Sequence, residues 1–341
     1  MKENQEIWCG IDISKNDMTV ALDIDRDLPV RKLPLKTFKR TADGLRDMMD
    51  WCASLNVPLD MLRVFMESTG VYSRELLQWF QNHFPRIPVS VGNPRHIKHF
   101  IESEHLGNKT DALDALAIAR MGTIQKPPAT PLPPVEYLQL QELVRSRDDL
   151  VTKMRALEVS RKAMPDAGSV SSQCFRHVVK VMAAELKKMD TAILDLAERM
   201  PEIKTAVRRM CTMPGIGLVS AVTILSELGP FSPEHSRDSF SARTGLQPVK
   251  RQSGTSVNSS RISRNGSALL RKVLYLCSIH AVRKVPSLGS MYSRLVGRGK
   301  KPLSARCACM RKMLLILRSM VLNQRDFEEN FICGKKNAKA I

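Results

Sequence analysis

Residues 126 to 134 read "KPPATPLPP", five prolines in nine positions, and no regular element can run through such a stretch. Each proline lacks a backbone N–H and fixes its own φ, so helices and central strands both stop there. The chain is therefore divided, and each part must build its own core. A length of 341 residues is enough for two or three domains.

Before the break, "IWCGIDIS", "MTVALDI" and "LPLKTF" are short runs rich in Ile, Val and Leu and are predicted to be consecutive strands. "TADGLRDMMDWCASL" follows as a helix capped by Thr41, then "MLRVFME" as strand, "VYSRELLQWFQNHF" as helix and "IPVSVGN" as strand. Strands first, then strands alternating with helices, predict an α/β domain with a mixed sheet over 1–122. The proline-rich segment, 123–134, is the expected linker.

Beyond it, residues 135 to 165 and 173 to 199 form two long charged amphipathic patterns, a helical, coiled-coil-like region over 135–203. Such stripes need a partner surface, either each other in a hairpin or a second molecule in a coiled coil. Residues 204–325 are expected to be a compact, mostly α domain. In it "MPGIG" joins two apolar-periodic runs in the manner of a helix-hairpin-helix element. The turn at Gly215 and Gly217 could offer free N–H groups to a phosphate. It could equally be a plain turn between core helices. Residues 326–341 are a basic tail.

Charge is distributed as unevenly as structure. Residues 1 to 120 hold 16 Lys and Arg against 17 Asp and Glu, a net of −1, whereas residues 245 to 341 hold 20 against 3, a net of +17. A polyanion is the expected partner of the C-terminal third. A lipid surface is the weaker fit, because the cations are spread over several segments. The polar start and the absence of a long apolar run imply no membrane segment and a soluble, cytoplasmic protein. Eight scattered cysteines with no CxxC pair argue for reduced structural thiols rather than zinc.

"NKTDALDALAIAR", residues 108 to 120, sets Asp111 and Asp114 three apart on a helix, where they are neighbours. Thr110 as N-cap and two acids in the first turn would complement the helix dipole. A divalent cation between them is the sharper reading. Asp12, inside the first strand, and Glu67, after the fourth, could converge on the same place. Four carboxylates are what a two-metal phosphoryl-transfer site requires.

The strings "GIDISK", "FMESTGVY", "NPRHIKHF", "NKTDALDALAIAR", "MPGIG" and "GLQPVKRQSGTSVNSSRISRNGSALLRKVLYL" stand in the order and approximate spacing of the DEDD transposases of bacterial insertion sequences. That family includes pilin-gene invertases and recombinases guided by a bridge RNA, and the resemblance runs from about residue 7 to 320. It implies a RuvC-like, RNase H-fold N-terminal domain in which Asp12, Glu67, Asp111 and Asp114 bind Mg²⁺ or Mn²⁺. It also implies a serine nucleophile, which falls on Ser253 of "RQSGTS". Lys109, Lys250, Arg251, Arg261, Arg264, Arg271 and Lys272, with Gly215 and Gly217, are the expected nucleic-acid contacts.

The implied activity is that of a DNA recombinase working through a phosphoserine intermediate on element ends and target. The implied partners are a structured guide RNA and further copies in a homodimer or homotetramer. No nucleotide cofactor is expected, since no phosphate-binding G-x-x-x-x-G-K-[ST] loop is present. Two rivals remain at this point: a RuvC-like junction nuclease that uses water, and a non-enzymatic nucleic-acid-binding module.

Overall fold

The computed structural model describes residues 6–103, 110–234, 236–253 and 257–329. The chain forms two compact units, Met1–Leu132 and Pro133–Ile341.

The first unit is a five-stranded mixed sheet with helices on both faces. Strands β1 (Ile7–Ile13), β2 (Asp17–Asp23) and β3 (Leu35–Lys39) form an antiparallel meander, and β4 (Leu62–Glu67) and β5 (Val89–Gly92) add in parallel on the other side of β1. The order is β3-β2-β1-β4-β5. The helices are α1 (Ala42–Ser54), α2 (Val71–His83), α3 (Pro94–Ser103) and α4 (Asp111–Gln125). All the strands expected from the sequence are present; α3, under the "NPRHIKHF" string, is a helix that the sequence reading does not predict.

Strand alternation assigns the two faces. Cys9, Ile11, Val64 and Met66 pack with Leu45 and Met48 of α1 and Leu77 and Phe80 of α2. Trp8 and Phe65, on the opposite face, pack with Ile97 of α3 and Ile118 and Met121 of α4. Gly10 shares that second face with Trp8. A Cβ on Gly10 would come 2.2 Å from the Ala119 nitrogen and 2.4 Å from the Ala115 oxygen, so only glycine lets α4 lie directly on β1. Helix α4 is buried on nearly every side from Asp114 to Thr123, which explains why its sequence shows little amphipathic pattern.

A buried ion pair fixes the far half of α4. Arg120 Nε stands 3.1 Å from Asp23 Oδ2, and the Arg120 guanidinium donates to the carbonyls of Arg26 and Leu28, each at 2.6 Å. Asp23 is 1% exposed. Its burial raises the carboxyl above its ordinary range, against the opposing pull of Thr123 and Arg120.

The proline-rich segment is not a free linker. Helix α4 runs on to Gln125, past the expected boundary at 122. Ser90 Oγ then donates to the carbonyls of Pro127 and Pro128 at 2.9 Å, Thr130 N–H to Val89 O at 2.8 Å, and Val91 N–H to Thr130 Oγ1 at 2.9 Å. Leu132 reaches the core of the sheet. Prolines cannot extend a ladder, yet their carbonyls still accept, so the segment straps the outer edge of β5.

Among its described residues the second unit is helical apart from one hairpin. Helices α5 (Val135–Lys162) and α6 (Val170–Glu198) form an intramolecular pair, tied by Arg147 and Asp190. This is the hairpin alternative of the two left open by the sequence. At its base Tyr137, Leu140, Val144, Ile193 and Ala197 enter one core with α7 (Pro201–Cys211), α8 (Leu218–Leu228), α10 (Ala268–Lys284) and α12 (Pro302–Leu322). The expected separation of 135–203 from 204–325 is therefore absent, because neither stretch closes a core alone. Helices α9 (Arg237–Arg243) and α11 (Pro286–Gly297) complete the helical set among the described residues. Strands β6 (Pro248–Ser253) and β7 (Val257–Ile262) form an antiparallel hairpin in which Ser253 pairs with Val257. Cys9, Cys52, Cys277 and Cys309 are free and buried, with burial pushing the Cys52 thiol up to about 12. They behave as small apolar side chains.

Candidate functional site

Asp12 and Glu67 are brought together by strand register. Ile11 pairs with Met66 in the parallel β1–β4 ladder, so the next position on each strand places Asp12 beside Glu67. Both lie two residues beyond Gly10 and Phe65, on the face covered by α3 and α4. Both are partly buried.

Helix α4 brings its acids to the same edge. Gly122 lies against Trp8, and Ala115 and Ala119 lie against Gly10, so the helix runs antiparallel to β1. Its N-terminal turn, with Asp111 and Asp114, therefore stands over the end of β1 that carries Asp12. Thr110 caps this turn, its hydroxyl accepting from Leu113 N–H at 3.3 Å. Asp114 is 5% exposed and Asp111 is exposed. The capping reading of "NKTDALDALAIAR" is thus realised, and the same turn carries both acids to the end of the sheet that holds Asp12.

Among the described residues no three His, Cys, Asp or Glu are drawn into a closed ligand group. The four acids share one sheet edge rather than a finished cage. Their chemistry fits a hard divalent cation, since all four side chains are carboxylates. Mg²⁺ keeps several waters and needs few protein ligands, which suits an edge that is open to solvent on the Asp111 side.

In the second unit Ser253 is the last residue of β6, and Lys250 and Arg251 precede it on the same strand. Arg261 lies on β7 opposite Val249. Arg264 takes a left-handed backbone, φ 58°, at the exit of the hairpin. Arg271 donates to Gly266 O at 2.8 Å and so ties that exit to α10. Lys272 is paired with Asp148 of α5 at 2.5 Å. These last two cations, expected to face nucleic acid, serve contacts within the fold. Gly215 does likewise: its φ is +94°, and a Cβ there would meet Cys277 O of α10 at 2.7 Å. Gly217, by contrast, is the N-cap of α8 with open space around it. Lys109 lies outside the described residues.

Sequence reasoning does not single out α3, whose cationic face adjoins the acid edge, or the Asp23–Arg120 pair. The first carries a signal in "NPRHIKHF", where Ile97, Phe100 and Ile101 recur at helical spacing. The second carries none, because its partners are 97 positions apart by number (120 − 23).

A family model described as "Transposase", that of the DEDD transposases, matches residues 9–164, and one described as "Transposase IS116/IS110/IS902 family" matches 207–293. The chain belongs to this transposase family. It is similar to the pilin gene-inverting protein of Moraxella bovis, 26% identical over 331 residues, covering 94% of this chain and 98% of that protein. The counterpart from Moraxella lacunata matches to the same extent. The transposase for insertion sequence element IS1111A of Coxiella burnetii is 26% identical over 223 residues, 58% of this chain and 59% of its own. The protein is accordingly a DNA recombinase or transposase enzyme. The mixed sheet is consistent with the RuvC-like fold that a DEDD transposase domain implies. Membership also points to dependence on a divalent metal. Among the described residues no helix is long and apolar enough to cross a membrane.

Proposed function

We infer that this transposase cuts and rejoins DNA through a covalent phosphoserine intermediate formed by Ser253, with Asp12, Glu67, Asp111 and Asp114 as the metal-holding carboxylates. The observation that carries the reading is the convergence of Asp12, Glu67 and the N-terminal turn of α4 at one end of the sheet. The helix dipole accounts for acids in the first turn of α4 but not for Asp12 and Glu67 beside them, since neighbouring carboxylates repel.

A bound Mg²⁺ or Mn²⁺ would supply Lewis-acid stabilisation of charge developing on the phosphate oxygens. The chain's own residues do the rest. The Ser253 hydroxyl gives up its proton to a carboxylate, its oxygen forms the new bond to phosphorus, and the bond from phosphorus to the 3′ oxygen breaks. The departing 3′ oxygen takes up a proton. One ester replaces another, so rejoining reverses the step without a nucleotide cofactor. A serine hydroxyl is a poor nucleophile unaided, and so Ser253 must meet the acid edge of its own chain or of another copy in a homodimer or homotetramer. Lys250, Arg251, Arg261 and Arg264 attract and balance the phosphate. Target choice by an RNA encoded beside the gene accords with the resemblance and with the net charge of +17 over residues 245 to 341.

The test is direct. Incubated with element ends and guide RNA, the protein is expected to give a protein–DNA adduct that survives SDS, and Ser253→Ala none. An undiminished adduct in Ser253→Ala overturns the serine assignment. Free 5′ phosphates without any adduct would instead identify a water-using nuclease.

A further inference from the structure

The string "NPRHIKHF" belongs to the family resemblance, yet neither the acids nor the serine account for it. Its place in the fold is specific. Strand β5 pairs with β4 so that Gly92 is opposite Glu67, and Ser68 N–H donates to Gly92 O at 3.0 Å. Two residues later α3 begins, its first turn fastened by Arg95 N–H donating to Asn93 Oδ1 at 2.9 Å. Helix α3 therefore starts beside Glu67, at the acid end of the sheet.

Its two faces differ sharply. Ile97 is buried against the sheet, and Phe100 and Ile101 pack with it. The opposite face carries Arg95, His96, Lys98 and His99, all exposed. Glu102 on the same face lies 3.8 Å from Lys98 and 3.3 Å from His99, too exposed a set of contacts to hold these side chains against a polyanion. Between Glu75 and Glu102 the sequence contains no acid at all. Ordinary solvation explains an exposed lysine. It does not explain why the positive face of a unit with a net charge near −1 adjoins its four carboxylates.

The electrostatics supply the reason. A cluster of acids repels the DNA backbone that it must approach, and nearby donors of opposite sign are needed to bring phosphates in. We propose that the exposed face of α3, Arg95, His96, Lys98 and His99, is a phosphate-contacting rail that holds duplex DNA alongside the acid edge. This rests on the acid edge being where DNA is cut. Guanidinium, ammonium and imidazole groups all donate to phosphate oxygens without reading bases, so the contact is independent of sequence.

The full-length protein is treated with diethyl pyrocarbonate with and without a short duplex of arbitrary sequence, and each histidine is quantified by mass spectrometry. His96 and His99 are expected to lose most of their reactivity when duplex binds, whereas His83, exposed on α2 over the other sheet face, keeps its own. Equal modification of His96 and His99 in the free and DNA-bound protein overturns the proposal. The double variant Arg95→Gln/Lys98→Gln provides a second readout. The slope of log affinity against log salt is expected to fall by about 0.9 for each phosphate that the variant no longer neutralises, and an unchanged slope refutes the rail. Failure of the underlying site shows separately, as strand cutting that persists in Asp12→Asn, whatever the imidazoles do.

Discussion

The two units place their functional residues by different means. In the first, ladder register sets Asp12 beside Glu67 and the close approach at Gly10 sets the direction of α4. The framework itself aims the carboxylates. In the second, Ser253 ends one strand of a two-stranded hairpin whose Ile262 packs on the helical core, and the residues leading to it, Lys250 and Arg251, are cationic. Metal chemistry demands oxygens held to fractions of an ångström, which sheets supply. Ser253, as the proposed nucleophile, must engage and then release a DNA strand, and the end of a small hairpin gives it more freedom than a central strand would.

The sharpest way to break this contrast is at the acids. Asp12→Asn or Glu67→Gln is expected to reduce strand cutting by on the order of 10³-fold or more, the several kcal/mol that metal-assisted charge stabilisation contributes. Circular dichroism should be unchanged. Activity within tenfold of the parent would mean that the register of β1 and β4 has no catalytic purpose.

Next in size is the ion pair beneath α4. Arg120→Met leaves the Asp23 carboxyl buried without its cation, and breaking such a pair costs about 3–5 kcal/mol. The sign with pH follows from the raised carboxyl. A group whose folded value lies above its unfolded one favours the fold when protonated, and that advantage is lost as pH rises through the folded value. The Arg120→Met defect in denaturant midpoint should therefore shrink on acidification from neutrality. Asp23→Asn added to it should recover much of the loss. A defect that does not vary with pH would assign it to packing alone.

Gly10→Ala comes third. The added methyl meets helix backbone rather than a side chain that can swing away, and overpacking of this kind costs about 1–3 kcal/mol. The α4 acids should also be displaced, so cutting is expected to fall by more than stability alone explains. A fully active, less stable variant would separate helix placement from catalysis.

Much of this is legible in the sequence, and unequally so. The strands of the first unit are evident because each alternates or runs apolar between turn residues. Asp12 and Glu67 can be placed on strands, but their adjacency depends on a β1–β4 pairing between segments about fifty residues apart, which no local pattern encodes. The β6–β7 hairpin escapes a sequence reading because "VKRQS" and "VNSSRI" are polar and show no alternating apolar face. Composition alone turns Lys272 and Arg271 outward. Only the positions of Asp148 and Gly266 reveal that they are engaged inside the fold.

The smallest expected effect concerns the second unit's surface. Arg298, Lys300 and Lys301 are exposed in the turn between α11 and α12. Changing all three to Gln should leave the unfolding midpoint nearly unaltered, within about 0.5 kcal/mol per site, while flattening the salt dependence of DNA binding. Unaltered salt dependence would mean that this cationic turn lies off the path of the nucleic acid.

The proline strap along β5 has an effect beyond joining two units. An uncovered outer strand invites a foreign chain to hydrogen-bond to it and begin a fibre. Here the Ser90 hydroxyl, the Val89 carbonyl and the Val91 N–H are already engaged by Pro127, Pro128 and Thr130, so a foreign strand finds that side of β5 occupied. The segment that joins the two units thus also shields β5, one of the two outer strands of the sheet.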